Sequence, residues 1–283
     1  MPSTRQNIKT PANLTPEIIT AFRKRVLEYY RRNGRDLPWR STTDPYRILV
    51  SEIMLQQTQV DRVIPKYEAF ISCFPDAASL AKASLKNVLN MWQGLGYNRR
   101  AQNLYKCAQI VADELGGAFP KTRDGLKELP GIGVYTSAAV NVFAYNQPCV
   151  FIETNIRAVY IHTFFQDSAD VSDAQLEPYI KSTLSKRNPC RWYNALMDYG
   201  VYIKKRYSNP ARKSKHHTKQ SRFEGSDRQI RGMIIKILGN IDTIKTQELV
   251  DQIDREPTRV HAIIDQLVQE GMVKLQRSRL SLP

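Results

Sequence analysis

From about residue 15 to residue 203 the chain is punctuated for helices and shows no convincing set of alternating strands, which confines this part to an all-α architecture. Thr15 as N-cap, Pro16 at the first helical position and Glu17 in the first turn open the first helix. Its apolar positions Ile18, Phe22, Val26 and Tyr29/Tyr30 recur at helical spacing, and Asn33-Gly34 stops it. Similar helices run through Ile48 to Gln57, Asp61 to Phe74, Leu85 to Trp92, Arg100 to Leu115 (closed by Gly116-Gly117), Tyr135 to Tyr145, Ile156 to Phe164 and Ala195 to Ile203.

The pattern breaks after residue 203. Lys204, Lys205, Arg206, Arg212, Lys213, Lys215, Lys219 and Arg222 fall in one window without an acidic residue, which reads as a basic linker suited to phosphate contact. Beyond Gly225, helices are expected over Asp227 to Leu238, Thr246 to Ile253 and Pro257 to Glu270, followed by a hairpin of Val273-Lys274-Leu275 and Leu280-Ser281-Leu282. Three helices and a terminal hairpin resemble a winged-helix domain, a helix-turn-helix variant; the alternative is a small helical domain that binds protein. The expected organisation is an N-terminal arm (1–14), a helical domain (15–203), a basic linker (204–226) and a winged-helix-like domain (227–283).

Lys and Arg number 42 against 27 Asp and Glu, a formal charge of +15, so a polyanion is the natural partner. No stretch approaches the roughly 18–20 apolar residues of a spanning helix, and Met1 to Thr10 lacks the apolar segment of a signal peptide. The expectation is a monomeric, cytoplasmic protein (nucleoid-associated if prokaryotic) that binds nucleic acid and no membrane. Cys73, Cys107, Cys149 and Cys190 form no Cys-x-x-Cys pair and suggest neither a disulfide framework nor a zinc site.

Leu129-Pro130-Gly131-Ile132-Gly133-Val134-Tyr135-Thr136 places glycines at alternate positions just before an apolar helical run, where Gly131 and Gly133 let backbone approach a phosphate. Leu-Pro-Gly-Ile-Gly resembles the helix-hairpin-helix of a DNA glycosylase superfamily. Leu37-Pro38-Trp39-Arg40, Asp44-Pro45-Tyr46, Ser51-Glu52-Ile53-Met54-Leu55-Gln56-Gln57-Thr58-Gln59-Val60 and Trp92-Gln93-Gly94-Leu95-Gly96-Tyr97 are similar in order and spacing to MutY-type adenine DNA glycosylases. The resemblance covers about residues 15 to 203. It implies a helix-hairpin-helix glycosylase fold and removal of a mispaired base from double-stranded DNA, in the adenine enzymes an adenine opposite 8-oxoguanine or guanine. It further implies that Gln57 and Tyr97 enter the base stack, and that Arg35, Arg40 and Asn194 line the base pocket.

Cleaving a purine N-glycosidic bond requires protonation of the leaving base and stabilisation of an oxocarbenium-like sugar, so two carboxyl groups with different duties are expected. Glu52, flanked by Ile53, Met54 and Leu55, fits the proton donor and matches the family's catalytic glutamate. The second carboxylate departs from the pattern. The family's Asp-Gly-Asn-Val corresponds to Glu153-Thr154-Asn155-Ile156, so Glu153 is one methylene longer; it is either the sugar-stabilising carboxylate or a helix N-terminal Glu, and Asn155 is read as a bonder of local backbone or DNA phosphate.

Tyr135 occupies the position where bifunctional relatives carry a Schiff-base lysine. A phenol cannot form an imine, which argues for a monofunctional enzyme and favours thymine or uracil opposite guanine as the alternative substrate. Relatives ligate an iron–sulfur cluster with four cysteines starting at the position of Lys204, and no cysteine follows Cys190, so the cluster is expected to be absent and no other cofactor or metal is called for. Lys204, Lys205, Arg206, Arg212, Lys213 and Lys215 are the expected phosphate contacts. A DNA lesion binder without catalysis is the reading from a different class, motivated by Glu153 and opposed by Glu52.

Overall fold

The computed structural model describes residues 14–218 and 222–283. The expected arm, Leu14 apart, and Lys219 of the basic window lie outside the described residues. As expected, the chain is mostly helical. It begins with α1 (Pro16–Asn33), α2 (Pro45–Leu55), α3 (Val60–Cys73), α4 (Ala77–Lys82), α5 (Leu85–Trp92), α6 (Arg99–Asp113) and α7 (Arg123–Lys127). The Leu129–Gly133 hairpin leads into α8 (Val134–Tyr145), followed by α9 (Thr154–Phe164), α10 (Asp173–Thr183) and α11 (Pro189–Arg206). The tail contains α12 (Asp227–Asn240), β1 (Ile244–Lys245), α13 (Thr246–Asp251), α14 (Pro257–Gln269), β2 (Lys274–Gln276) and β3 (Arg279–Ser281).

The chain divides into two compact units, Met1–Thr43 with Val134–Lys219, and Asp44–Gly133 with Gln220–Pro283. In the first, α1 buries Phe22 and Val26, and Phe22 meets the edges or faces of Tyr160, Phe164 and Trp192 at centroid distances of 5.4, 5.2 and 5.8 Å. Arg23 donates to the carbonyls of Thr183 (2.8 Å) and Leu184 (2.7 Å), satisfying the open C-terminal end of α10. α9 crosses α11 at Gly200. A methyl group there would overlap the backbone carbonyl of Asn155, so only glycine lets the start of α9 approach this closely.

In the second unit Phe70 packs edge-on against Phe74 and Trp92, and the Tyr46 hydroxyl donates to the Phe74 carbonyl at 2.8 Å across the core. The tail is packed on this bundle. Lys86 Nζ donates to the Ile241 carbonyl (2.9 Å), Asn90 Nδ2 to the Gly239 carbonyl (3.2 Å) and the buried Gln102 Nε2 to the Glu270 carbonyl (2.8 Å). The terminal hairpin is present as β2 and β3, and β1 adds a third antiparallel strand in the order β1-β3-β2, with Ile244 opposite Leu280. This is a winged-helix-like arrangement.

Several boundaries differ from expectation. α2 stops at Leu55 rather than Gln57, because Gln57 takes a positive φ of 54° that a helix cannot continue through. α4 and α10 fall where no helix was drawn; both are opened by capping boxes, Asp76 with Ser79 and Ser172 with Gln175, that outweigh their short apolar periods. The basic window does not begin as a connector. Lys204, Lys205 and Arg206 form the last turn of α11, where cations oppose the helix dipole, and Pro210–Lys213 is a 3-10 turn followed by a bridge from Ser214 to Val171. Among the described residues no helix is long and apolar enough to cross a membrane.

Replacing Gly200 by Ala should therefore lower stability by about 1–3 kcal/mol, the usual cost of overpacking, although alanine is the better helix former. Thermal unfolding of G200A against wild type checks this; an unchanged or raised Tm would show that α9 can retreat at no cost.

Candidate functional site

In the second unit two loops are held by one side chain. Arg100, at the start of α6, points its guanidinium inward, where Nη1 donates to the carbonyls of Ile53 (2.6 Å), Met54 (3.0 Å) and Gln56 (2.7 Å). Its Nη2 donates to the carbonyls of Leu95 (3.0 Å) and Gly96 (3.1 Å) and to Thr58 Oγ1 (3.3 Å). The end of α2 and the Gly94–Tyr97 loop are thereby tied to one cation. Burial lowers the pKa of Arg100 to about 10, which still leaves it charged at neutral pH.

The two loops carry Gln57 and Tyr97, and both have left-handed backbone, φ 54° and φ 49°. This conformation is costly for a bulky non-glycine residue and persists only where surrounding contacts over-determine it. Gln57 is exposed and Tyr97 half-buried. The Tyr97 ring lies within cation–π range of Arg100 (5.6 Å) and of Arg228 from α12 (5.1 Å), and Arg228 Nη1 also donates to the Tyr97 hydroxyl. Neither Arg100 nor Arg228 was singled out from the sequence. The available signal for Arg100 was an arginine three positions after a Gly-x-Gly-Tyr loop; for Arg228 there was none.

Glu52 sits on α2 with a relative exposure of 6% for the residue, beside the fully buried Met54. Gly131 has φ 77°, and a methyl group there would overlap Asn103, so the hairpin requires glycine at this position; Gly133 is exposed with open space around it.

The first unit holds the other expected residues. Glu153 is the N-cap of α9: Oε1 accepts from the Ile156 amide at 2.9 Å and Oε2 from Asn155 Nδ2 at 3.0 Å. Burial pushes its pKa up, while these hydrogen bonds and the nearby charges of Lys204 and Arg157 pull it down, leaving a net rise. Lys204 is half-buried and interacts electrostatically with Glu153; burial lowers its pKa and Glu153 opposes this. Asn155 Oδ1 is buried without a hydrogen-bond partner.

Tyr135 meets Phe151 edge-on at 5.5 Å, and Phe151 stacks on Tyr193 at 4.0 Å, so Tyr135 caps an aromatic column. Asn194 is buried on α11, with Nδ2 3.7 Å from Cys190 Sγ.

Arg35 and Arg40 have a partner that sequence reasoning did not identify. Arg40 Nη1 and Nη2 lie 2.8 Å from the two carboxylate oxygens of Asp198, and Arg35 adds its backbone amide (2.9 Å) and Nε (2.7 Å). Both Arg40 terminal nitrogens are thus engaged with protein acceptors rather than presenting an open edge to a base. Asp198 is itself buried, and burial would raise its pKa, but Arg40 and Arg35 outweigh that and hold it below the ordinary 3.8. The signal was present as an aspartate on the apolar face of the helix expected over Ala195 to Ile203.

Lys205, Arg206, Arg212, Lys213 and Lys215 are exposed, and among the described residues none of them forms an ion pair. The residues do not fit a four-thiolate cluster. Lys204 stands at the expected first ligand, Cys73 and Cys107 belong to one unit and Cys149 and Cys190 to the other, and the described residues contain no group of three His, Cys, Asp or Glu placed to hold a metal.

Comparison with known proteins matches residues 50–184 to the family described as HhH-GPD superfamily base excision DNA repair protein. An adenine DNA glycosylase of Mycolicibacterium smegmatis is 32% identical over 281 residues, covering 88% of this chain and 91% of that protein. One from Buchnera aphidicola is 37% identical over 187 residues, covering 64% of this chain; the match spans about half, 52%, of that relative's length. Among solved structures, a thermostable thymine-DNA glycosylase superposes with a TM-score of 0.57 at 25% identity, covering 65% of this chain and 86% of that one. A trapped endonuclease III–DNA covalent intermediate superposes at 0.56 and 19% identity, covering 67% and 87%, which shows a shared fold.

Two outcomes follow from the charge arrangement. Arg100→Met keeps bulk but removes every donor to the two loops, so stability should fall by at least about 3 kcal/mol, with Arg100→Lys recovering only part because it lacks the planar fork; urea unfolding of both variants measures this. Because Asp198 has a depressed pKa when folded, its stabilisation is full above about pH 4 and is lost as pH falls through the folded value. Asp198→Asn should lower Tm at about pH 7, and the gap to wild type should narrow below about pH 4. A gap independent of pH would show that the Asp198 charge does not contribute to stability.

Proposed function

The chain belongs to the HhH-GPD superfamily of base excision DNA repair proteins, and from that premise we propose that it is a monofunctional DNA glycosylase acting on a mispaired or damaged base turned out of duplex DNA, with adenine opposite 8-oxoguanine or guanine as the favoured substrate. The observation that carries this reading is the pair Gln57 and Tyr97, both strained and both braced by Arg100. A flipped base leaves a gap in the stack, and unstacking costs a few kcal/mol. An amide and an aromatic ring on braced loops are suited to fill that gap without first paying to be ordered. The names of the curated relatives support adenine.

In this mechanism Glu52, buried on α2, donates a proton to the leaving base. Glu153 supplies negative charge to the developing oxocarbenium, with Asn155 and the Ile156 amide fixing both carboxylate oxygens. Tyr135 offers no amine, so water adds to the sugar cation with loss of a proton and the abasic strand is left intact. Thymine or uracil opposite guanine is a second reading, supported by Tyr135 and by likeness to a thymine-DNA glycosylase.

Duplexes carrying A·8-oxoG, A·G, T·G, U·G and hypoxanthine, treated with alkali after incubation, should show base release, with adenine released fastest. Release of thymine or uracil alone would select the second reading, and binding without any release would make the protein a lesion binder. Glu52→Gln should abolish release while leaving duplex affinity within a few-fold. Glu153→Gln retains an acceptor for the Ile156 amide but removes the charge, and its single-turnover rate should fall at least about a hundredfold. A fall below about threefold would reduce Glu153 to a helix cap. Borohydride should trap no protein–DNA adduct.

A further inference from the structure

We propose that the C-terminal domain is a DNA-contacting element that works through α12 rather than α14, and that α12 closes with the Gln57 and Tyr97 loops a cleft that seats an unstacked nucleotide and its phosphate. This rests on the DNA reading above and assigns the tail a part in it. Arg228, Gly232 and Lys236 are spaced four residues apart and share one face of α12, which lines the same cleft of about 860 Å³ as Gln57, Tyr97 and Arg62. That volume lies within the range that holds small ligands.

The lining has the chemistry of a single-strand site. Phe223, 57% exposed, lines the cleft and offers a ring on which a base can stack. Arg62 and Lys236 are exposed, and neither forms an ion pair among the described residues, so both are available to phosphate. Amides at Gln57 and Gln93 provide donors and acceptors for a base edge. Gly232 is exposed in mid-helix, with nothing within 4 Å of where a Cβ would stand, so the cleft is open at its centre.

The usual reading helix of a winged-helix fold is poorly suited here. On α14, Arg259 is paired with Asp227, while Asp265 is exposed and negative. The α14 end nearest Glu270 is occupied by the bonds to Gln102 and Arg99 that dock the tail and by the bond to Arg231 of α12 within it. The basic hairpin, with exposed Lys274, Arg277 and Arg279, is the competing contact.

The test uses the full chain and a fluorescent duplex containing a stable abasic analogue, read by anisotropy at several salt concentrations, with single-turnover base release alongside. Gly232→Glu projects a carboxylate into the cleft while improving helix propensity, so Tm should hold or rise as affinity weakens at least tenfold. Phe223→Ala should weaken binding severalfold with an unchanged salt slope, and Lys236→Ala should reduce the log–log slope by about one. Gln266→Glu on α14 should match wild type. Wild-type affinity in Gly232→Glu and Lys236→Ala, or losses confined to Lys274→Ala and Arg277→Ala or to Gln266→Glu, would overturn the proposal. Absence of DNA binding and base release in the wild-type protein would instead sink the functional reading itself.

Discussion

The guanidinium of Arg100 is the constraint on which the candidate wedge depends. Five backbone carbonyls and one hydroxyl converge on it from two loops distant in sequence. Without a cation there, the carbonyls at the end of α2 and in the Leu95–Gly96 segment would have to turn toward water or remain unsatisfied in a half-buried site. With it, two residues stay in a backbone region that each alone would avoid, and the strain at Gln57 and Tyr97 is offset by charge-assisted hydrogen bonds. Arg228 adds an outer restraint to the same ring. A candidate wedge braced in this way is ordered by the fold itself, which would remove one entropic cost of binding.

The first unit solves a different electrostatic problem. Asp198 is buried with two arginines, and a single carboxylate between two cations leaves net positive charge close to the protein interior. Glu153 is the opposite case, with its charge opposed by burial and supported by amide donors and by Lys204. Aspartate is the usual N-cap because its short side chain reaches the N2 or N3 amide directly. Glutamate here reaches the N3 amide of Ile156 with one oxygen, and the second is taken by Asn155. The Glu153 side chain is thus held in a local closed arrangement of hydrogen bonds, and Gly200 lets the adjoining Asn155 backbone settle on α11.

What was legible in the sequence was local. Thr15 caps α1, the Leu129–Gly133 hairpin precedes α8, and the tail has the expected three helices and hairpin. What was not legible depended on contacts between segments far apart in the chain. Asp198 lies 158 positions from Arg40, so two arginines that resemble base-pocket residues could not be seen to share a carboxylate. The two-residue β1 has too few positions to show alternation, and its pairing with β3 crosses two helices. The docking of the tail on α5 and α6 uses isolated polar side chains, Lys86, Asn90 and Gln102, which leave no periodic trace.

The same distinction applies to charge. A surplus of +15 identifies a polyanion as partner, but it does not say which cations face that partner. Arg35, Arg40, Arg157 and Arg231 are held in internal ion pairs, and Arg100 is spent on backbone carbonyls. These side chains raise the formal charge without releasing counterions when a phosphate approaches. Lys205, Arg206, Arg212, Lys213 and Lys215 in one unit, and Arg62 and Lys236 in the other, are exposed and free of acidic partners among the described residues. Since the salt dependence of binding counts only phosphates actually neutralised, its slope reflects this smaller set and is the quantity that separates cations used for folding from cations used for DNA.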